Sequence, residues 1–367
     1  MIGLTGCYAQ QEGESLAKKF PYLDLILGPD TVEQVAQAVE VAKTDRPVVW
    51  TQFDSGKAYS IPIQNDIRPA GSSAYINIIK GCDKFCSFCI IPYRRGREVS
   101  RTIADIANEV ELLAARNVKE ITLLGQNVDS YGHDLPNKSD LADLLNAVNE
   151  IDDLKRIRFL TSHPNDMSQH IIDTIDRLPK VMENVNLPFQ AGNDQVLGRM
   201  KRGYTNAEYR EIVGRVRASI PGVAMVTDLI VGFPGETAVQ FEDTLAMVRD
   251  LRFDKVHTAA YSTRPNTFAQ RKMEDDVPHE EKQRRLKAIE EVQTAVLTEI
   301  NNAYFGTSQE VLVDRRKAGR WQGRTRTDKL VFFDPPDDSG DDLLGQLVSV
   351  RITKTTPWSL QGKLLAG

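Results

Sequence analysis

Cysteine is scarce in this chain: four in 367 residues, three of them inside eight positions. A disulfide framework needs paired cysteines spread over a small secreted fold, and this chain is neither small nor built that way. Long hydrophobic runs are missing as well. No apolar stretch approaches the length of a bilayer span, and the N-terminus lacks the charged-then-apolar pattern of an export signal. These absences exclude a helical membrane protein and point to the cytoplasm, where thiols stay reduced. A large charge of one sign is also lacking: 46 basic against 51 acidic residues leave a net −5, so there is no global nucleic-acid signature. What remains is ordinary globular composition, 41% hydrophobic and 26% charged, with length for two or three domains.

The charge is unevenly placed. Arg315, Arg316, Lys317, Arg320, Arg324, Arg326 and Lys329 crowd one short stretch against a single acid, Asp328. A solvated face and an RNA-backbone patch both fit such a run. The acidic "DPPDDSGDD" that follows, 334–342, suits an exposed hairpin loop.

From residue 74 to 303 short β-like runs alternate six times with helical patterns. The runs are "AYINIIKG", "EITLLGQ", "IRFLTSH", "VNLPFQ", "AMVTDLIVGF" and "VHTAAYS". Between the first two, Ile103, Ile106, Val110 and Leu113 recur at helical spacing, and further helices are expected from near Asp140, Ser168, Asn206, Thr237 and His279. Six βα units of one sense predict an α/β fold, a partial (β/α)6 TIM-type barrel. Each run ends on polar or metal-binding groups: Gly81-Cys82, Gln126-Asn127, Ser162-His163, Gln190, Asp228 onward to "GFPGE", and Tyr261-Ser262. Chemistry in such barrels sits at the strands' C-terminal ends, so six such endings favour one shared site. Residues 1–60 form a small βαβ domain, 61–73 a Gly/Pro/Ser-containing linker, and 304–367 a small β-barrel of short strands.

Cys82, Cys86 and Cys89 follow the first strand at spacing C-x3-C-x2-C, in "KGCDKFCSFCIIPYRRGR". Structural zinc sites close a tetrahedron of four protein ligands, and the local stretch supplies three. Iron–sulfur clusters usually take four thiolates; one held by three leaves an iron open to a substrate or cofactor. Both metals stay open on spacing alone.

The spacing and its place after the first barrel strand resemble the radical S-adenosylmethionine (SAM) superfamily. The resemblance implies that Cys82, Cys86 and Cys89 hold a [4Fe–4S] cluster whose open iron chelates SAM, which is then cleaved to a 5′-deoxyadenosyl radical. It assigns Phe88, Gln126, Asn127, Ser162, Gln190, Asp228, Gly232, Gly235 and Glu236 to the SAM site, with no catalytic side chain beyond the cluster and SAM ligands. Within that superfamily "GCYAQ", "CIIPYRRGREVSR", "GQNVDSYG", "TSHP", "LPFQAGNDQVLGRMKRGYT" and "GRTRTDKLVFF" occur in the order of the tRNA methylthiotransferase family. The last segment is similar to its C-terminal TRAM domain, an RNA-binding β-barrel. The function implied is methylthiolation at C2 of N6-isopentenyladenosine, position 37 of tRNA beside the anticodon. An adenine C2–H is unactivated, and no protein base has the strength to take it as a proton; a carbon radical can.

The resemblance further implies tRNA as partner, a reductant such as flavodoxin or ferredoxin, and a monomer. RNA contacts fall to Arg94, Arg95 and Arg97 (with Arg101) at the mouth and to Arg324, Arg326 and Lys329 in the β-barrel. Ala191 after Gln190 and "RGYT" favour the tRNA enzymes over the ribosomal-protein branch; enzymes acting on threonylcarbamoyladenosine are a further alternative. From another class, a non-catalytic RNA-binding protein with structural zinc fits the same cysteines. The family also holds a second [4Fe–4S] cluster with three N-terminal cysteines. Cys7 matches the third, the first two would lie upstream, and residues 1–60 are thus expected to be the remnant of a larger domain in a truncated chain.

Overall fold

The computed structural model describes residues 1–52, 71–334 and 342–365. The expected linker therefore falls almost wholly outside the described residues, as does most of the acidic loop. Strands β1 (Gly3–Thr5), β2 (Leu25–Leu27) and β3 (Val48–Trp50) form a parallel sheet in that order. Because alternate strand residues face opposite ways, Ile26 packs with Ala9 and Leu16 while Leu25 and Leu27 pack with Ala38 and Val48.

The central unit contains β4 (Ser73–Asn77), β5 (Ile79–Lys80), β6 (Val99–Ser100), β7 (Glu120–Leu124), β8 (Arg156–Phe159), β9 (Asn184–Asn186), β10 (Ala224–Val231) and β11 (Lys255–Ala260). Apart from the antiparallel β5–β6 ribbon, these run parallel in the order β4-β7-β8 and β9-β10-β11, with an Ile157–Val181 bridge joining the halves. Polar caps start the covering helices. Asp140, Ser168, Thr205 and Thr237 each accept a backbone N–H from the first turn of Leu141–Asn149, Gln169–Arg177, Asn206–Ser219 and Ala238–Leu251. Each such cap stabilises its helix by about 1 kcal/mol. The helices bury Ile121, Leu123, Ile157, Phe159, Met225, Leu229 and Val231 on the outer face of the sheet. Register puts Thr122 beside Arg158 and Asp228 beside His257 on the other face, so the barrel interior is polar.

Two expected strands are interrupted. The first divides because Ile79–Lys80 leaves the parallel sheet to pair with Val99–Ser100. The fourth is regular only over Asn184–Asn186, after which Pro188 cannot donate to the ladder; contact resumes where Gln190 N donates to Asp228 O at 3.0 Å.

After the long helix His279–Asn302, strands β12 (Ser308–Lys317), β13 (Arg320–Arg324), β14 (Leu330–Asp334), β15 (Leu347–Thr355) and β16 (Leu360–Leu364) close into a barrel ordered β12-β13-β14-β16-β15. Closure removes the open strand edges, and Val311, Val313, Trp321, Val331, Phe333, Val350 and Leu360 fill the inside. This small barrel sits under the large one. Arg158 donates to Thr325 O and Arg326 O at 2.7 and 2.9 Å, and Arg156 to Arg324 O at 2.8 Å and Glu310 Oε1 at 2.9 Å. Arg156 begins β8, so the junction is at the N-terminal ends of the strands, opposite the cysteines.

Candidate cluster and cofactor site

Gly81 opens the cysteine loop with φ +80°. A Cβ there would stand 2.0 Å from Arg97 O, so only glycine lets the loop's two ends meet. Cys82 N donates to Gly96 O at 3.1 Å and Cys89 N to Cys86 O at 3.0 Å, which folds the three cysteines into one compact turn. Burial pushes the Cys82 thiol up to about 12 and raises Cys89 too; the charges of the neighbouring cysteines add to both shifts. Among the described residues no three His, Cys, Asp or Glu side chains are gathered to share one ion. A cubane asks for something different, each thiolate on its own iron. Three cysteines in one hydrogen-bonded turn, with a buried guanidinium donating to Cys86 Sγ at 3.2 Å, fit that anionic group.

The polar strand ends gather around this loop, though several serve the scaffold. Gln126 Oε1 accepts from Gly81 N at 2.8 Å, tying β7 to the cysteine turn. Asn127 donates to Asp166 at 2.6 Å, and Asp166 also pairs with Lys84 at 2.7 Å. Ser162 Oγ and His163 N both donate to buried Asp129. Burial, aided by Arg202 and Lys84, drives the His163 pKa down to about 2, so this imidazole is neutral. Gln190 takes a left-handed φ of 68°, and Asp228 accepts from Asn186 at 3.0 Å. Phe88 meets Phe233 edge to face at 6.3 Å, which brings the cysteine turn against the "GFPGE" segment. Within that segment Gly232 N donates to Glu236 at 2.5 Å and Gly235 N to Asp276 at 2.7 Å. Glu236 is enclosed, and its Oε2 pairs with buried Arg285 at 2.8 Å and so braces the turn.

Cys7 is carried by a different element from these three. It begins the helix Cys7–Glu12, which packs against Ile91–Arg95, the helix following the cysteine turn.

The basic residues divide. Arg97 is exposed, lies over the Phe85 ring at 4.9 Å and pairs with Asp83 at 3.2 Å. Arg94 and Arg95 sit half-buried on the last turn of Ile91–Arg95. Arg101 is buried on Asp105 and Glu109 and is thus a scaffold residue. In the small barrel, Arg326 clasps Glu183 with contacts of 2.6 to 3.2 Å and Lys329 is buried on Asp254 at 2.8 Å. Both charges are paired at the junction between the barrels. Arg324, paired with Asp328 at 3.1 Å, is half-buried at its rim. The basic groups left exposed are Arg315, Arg316 and Lys317 on the β12–β13 hairpin, and Arg351, Lys354 and Lys363 on β15 and β16. Trp358 and Phe305 are exposed too, at 57% and 64%.

A barrel of this kind with a three-cysteine turn at its mouth is the arrangement of a radical SAM protein, here carrying a small closed β-barrel at its other end. Residues 76–248 match the model of the radical SAM superfamily and residues 302–365 that of the TRAM domain. The chain belongs to the family of the tRNA-2-methylthio-N(6)-dimethylallyladenosine synthases. It is 47% identical over 364 residues to the one so named from Dehalococcoides mccartyi, covering 99% of this chain and 81% of that one. The Herpetosiphon aurantiacus synthase is 46% identical, again covering 99% and 81%, and that of Moorella thermoacetica 43%, covering 100% and 82%. Among solved structures, the radical SAM methyltransferase TsrM from Kitasatospora setae superposes with a TM-score of 0.54 at 16% identity, over 70% of this chain and 54% of that one. At that identity the likeness shows the fold alone.

Proposed function

We propose that this chain is a radical SAM methylthiotransferase that modifies C2 of N6-isopentenyladenosine at position 37 of tRNA. One observation carries this: the C-x3-C-x2-C turn lies at the mouth of a barrel that aligns, together with its TRAM domain, along nearly the whole chain with synthases of that name. Cys82, Cys86 and Cys89 would hold one [4Fe–4S] cluster, and Cys7 is the only thiol left for another. Cluster and SAM together supply the one-electron chemistry that activates an unreactive C–H bond. The chain's own residues shape the setting. Gln126 fixes the entry to the cysteine turn, Phe88 and Phe233 wall one side, and Asn127, Ser162, Gln190 and Asp228 present polar groups around the mouth. Gly232 and Gly235 expose backbone, while Glu236 holds their turn in shape. A one-electron donor of the flavodoxin or ferredoxin type is needed, and we place the enzyme in the cytoplasm as a monomer; among the described residues no helix is long and apolar enough to cross a membrane.

Anaerobic reconstitution tests this reading. It should give at least four irons with matching sulfide per chain, the complement of the cluster on Cys82, Cys86 and Cys89. Replacing Cys82, Cys86 or Cys89 with Ala should abolish both the cluster and 5′-deoxyadenosine production. Nucleoside mass spectrometry of isopentenylated tRNA, with threonylcarbamoylated tRNA as control, reads the substrate. Stoichiometric zinc without sulfide would sink the proposal.

A further inference from the structure

Five arginines of the described chain are buried: Arg101, Arg156, Arg158, Arg202 and Arg285. Four of them pair with carboxylates, Arg101 with Glu109, Arg156 with Glu310, Arg158 with Glu120 and Arg285 with Glu236. Arg202 does not. Its Nε donates to Tyr204 Oη at 3.1 Å, one terminal nitrogen to Pro188 O at 3.1 Å, and the other to Cys86 Sγ at 3.2 Å. A guanidinium stays charged even when buried, and its three partners here are a phenol, a carbonyl and a cysteine sulfur. A buried cation without a counter-charge is costly, and neutral His163, whose ring meets Tyr204 at 5.9 Å, supplies none. The anion this pocket is built for must therefore arrive through the cysteine sulfur.

Resting on the cluster reading above, we propose that Arg202 is a positioning residue that balances the charge of the cluster on Cys86 and raises its reduction potential. A cubane on three thiolates is net anionic, and more so once an external donor has given it one electron. A fixed cation and an N–H donor on a ligand sulfur both favour that reduced form. Arg202 thus eases delivery of the electron on which SAM cleavage depends, without touching SAM or the nucleoside.

The test uses the full chain, reconstituted anaerobically, as parent, Arg202→Lys, Arg202→Gln and Tyr204→Phe. Iron and sulfide are counted, and the midpoint potential is read by an EPR-monitored redox titration, with no turnover involved. Arg202→Lys should load a cluster with a midpoint shifted to more negative potential, because an ammonium on a shorter reach loses the aimed donor. Arg202→Gln should shift it further, since the charge goes as well. Tyr204→Phe, which removes a neighbour but not the sulfur contact, should keep the parent midpoint. A parent-like midpoint in a loaded Gln variant overturns the proposal, and so does loss of the cluster from both Arg202 variants, which would make Arg202 a residue of the fold. A parent chain that loads zinc and no cluster would fail the underlying cysteine assignment instead, a result recognisable before any variant is compared.

Discussion

Asp129 is enclosed at the mouth, yet two donors, Ser162 Oγ at 2.9 Å and His163 N at 3.1 Å, aim at its oxygens. Burial outweighs them and pushes its pKa up to about 7. An acid titrating near 3.9 when unfolded and higher when folded binds its proton more tightly in the fold. Its contribution is therefore most favourable below about pH 4, falls as pH rises toward 7, and changes no further above that. Asp129→Asn removes the titration. The difference in Tm, variant minus parent, should accordingly grow in the variant's favour between about pH 5 and about pH 8, whatever its absolute value. A difference independent of pH would show that Asp129 is ionised throughout. His163 adds a separate trend, because it stays neutral in the fold and titrates near 6.5 when unfolded: parent and variant alike lose stability as pH falls below about 6.5, and this cancels in the difference.

At the scale of elements, the turn after β10 depends on the long helix His279–Asn302. Arg285 of that helix meets Glu236 at 2.8 Å, both side chains buried, and Lys282 lies where a Cβ on Gly232 would be, 2.4 Å from its Cγ. Breaking the pair from one side leaves an uncompensated buried carboxylate, so Arg285→Met should cost about 3–5 kcal/mol in denaturant unfolding. Adding Glu236→Gln removes the stranded charge and should recover a good part of that loss; a double variant no more stable than Arg285→Met would show that packing, and not the ion pair, holds the turn. The sequence marked the glycines of this segment and the helix near His279 but not their alliance. Cap residues and apolar spacing are local, which is why the helices after Asp140, Ser168, Thr205 and Thr237 start where polar residues announce them. Strand pairing is less local: "VNLPFQ" has the pattern of one extended run, and only its neighbour β10 shows the ladder breaking at Pro188. Arg202 lay wholly beyond such reasoning. It is 116 residues from Cys86, in a segment whose basic neighbours offer no hint of which one turns inward. The ion pairs of Arg326 with Glu183 and Lys329 with Asp254 were equally hidden, because a charge run does not reveal which side chains a turn points at a neighbouring domain.

For the whole molecule, the positions of the two barrels set how RNA can be held. The cysteine turn is at one end of the large barrel and the TRAM domain at the other, fastened through Arg156, Arg158, Arg326 and Lys329. A substrate spanning both must meet the small barrel on a surface that the junction leaves open. Arg351 and Lys363 are cross-strand partners on β15 and β16, Lys354 lies further along β15, and Trp358 is in the turn that joins the two strands. Gly306 N bonds Ile352 O at 2.9 Å, which brings exposed Phe305 to the same strand. Cations interleaved with exposed aromatics suit a phosphate backbone with unstacked bases. Arg351→Glu with Lys363→Glu should therefore weaken tRNA binding at least tenfold at moderate salt and flatten the salt dependence, since each lost phosphate contact releases fewer counterions. Trp358→Ala should weaken binding with little change in that slope, because stacking carries no counterions. Arg326→Ala should instead loosen the TRAM domain, seen as faster proteolysis near the junction, at a cost of about 1 kcal/mol for a part-exposed pair. Charge reversal that leaves tRNA affinity and slope unchanged, while Arg315→Glu with Lys317→Glu lowers both, would move the RNA path to the β12–β13 hairpin.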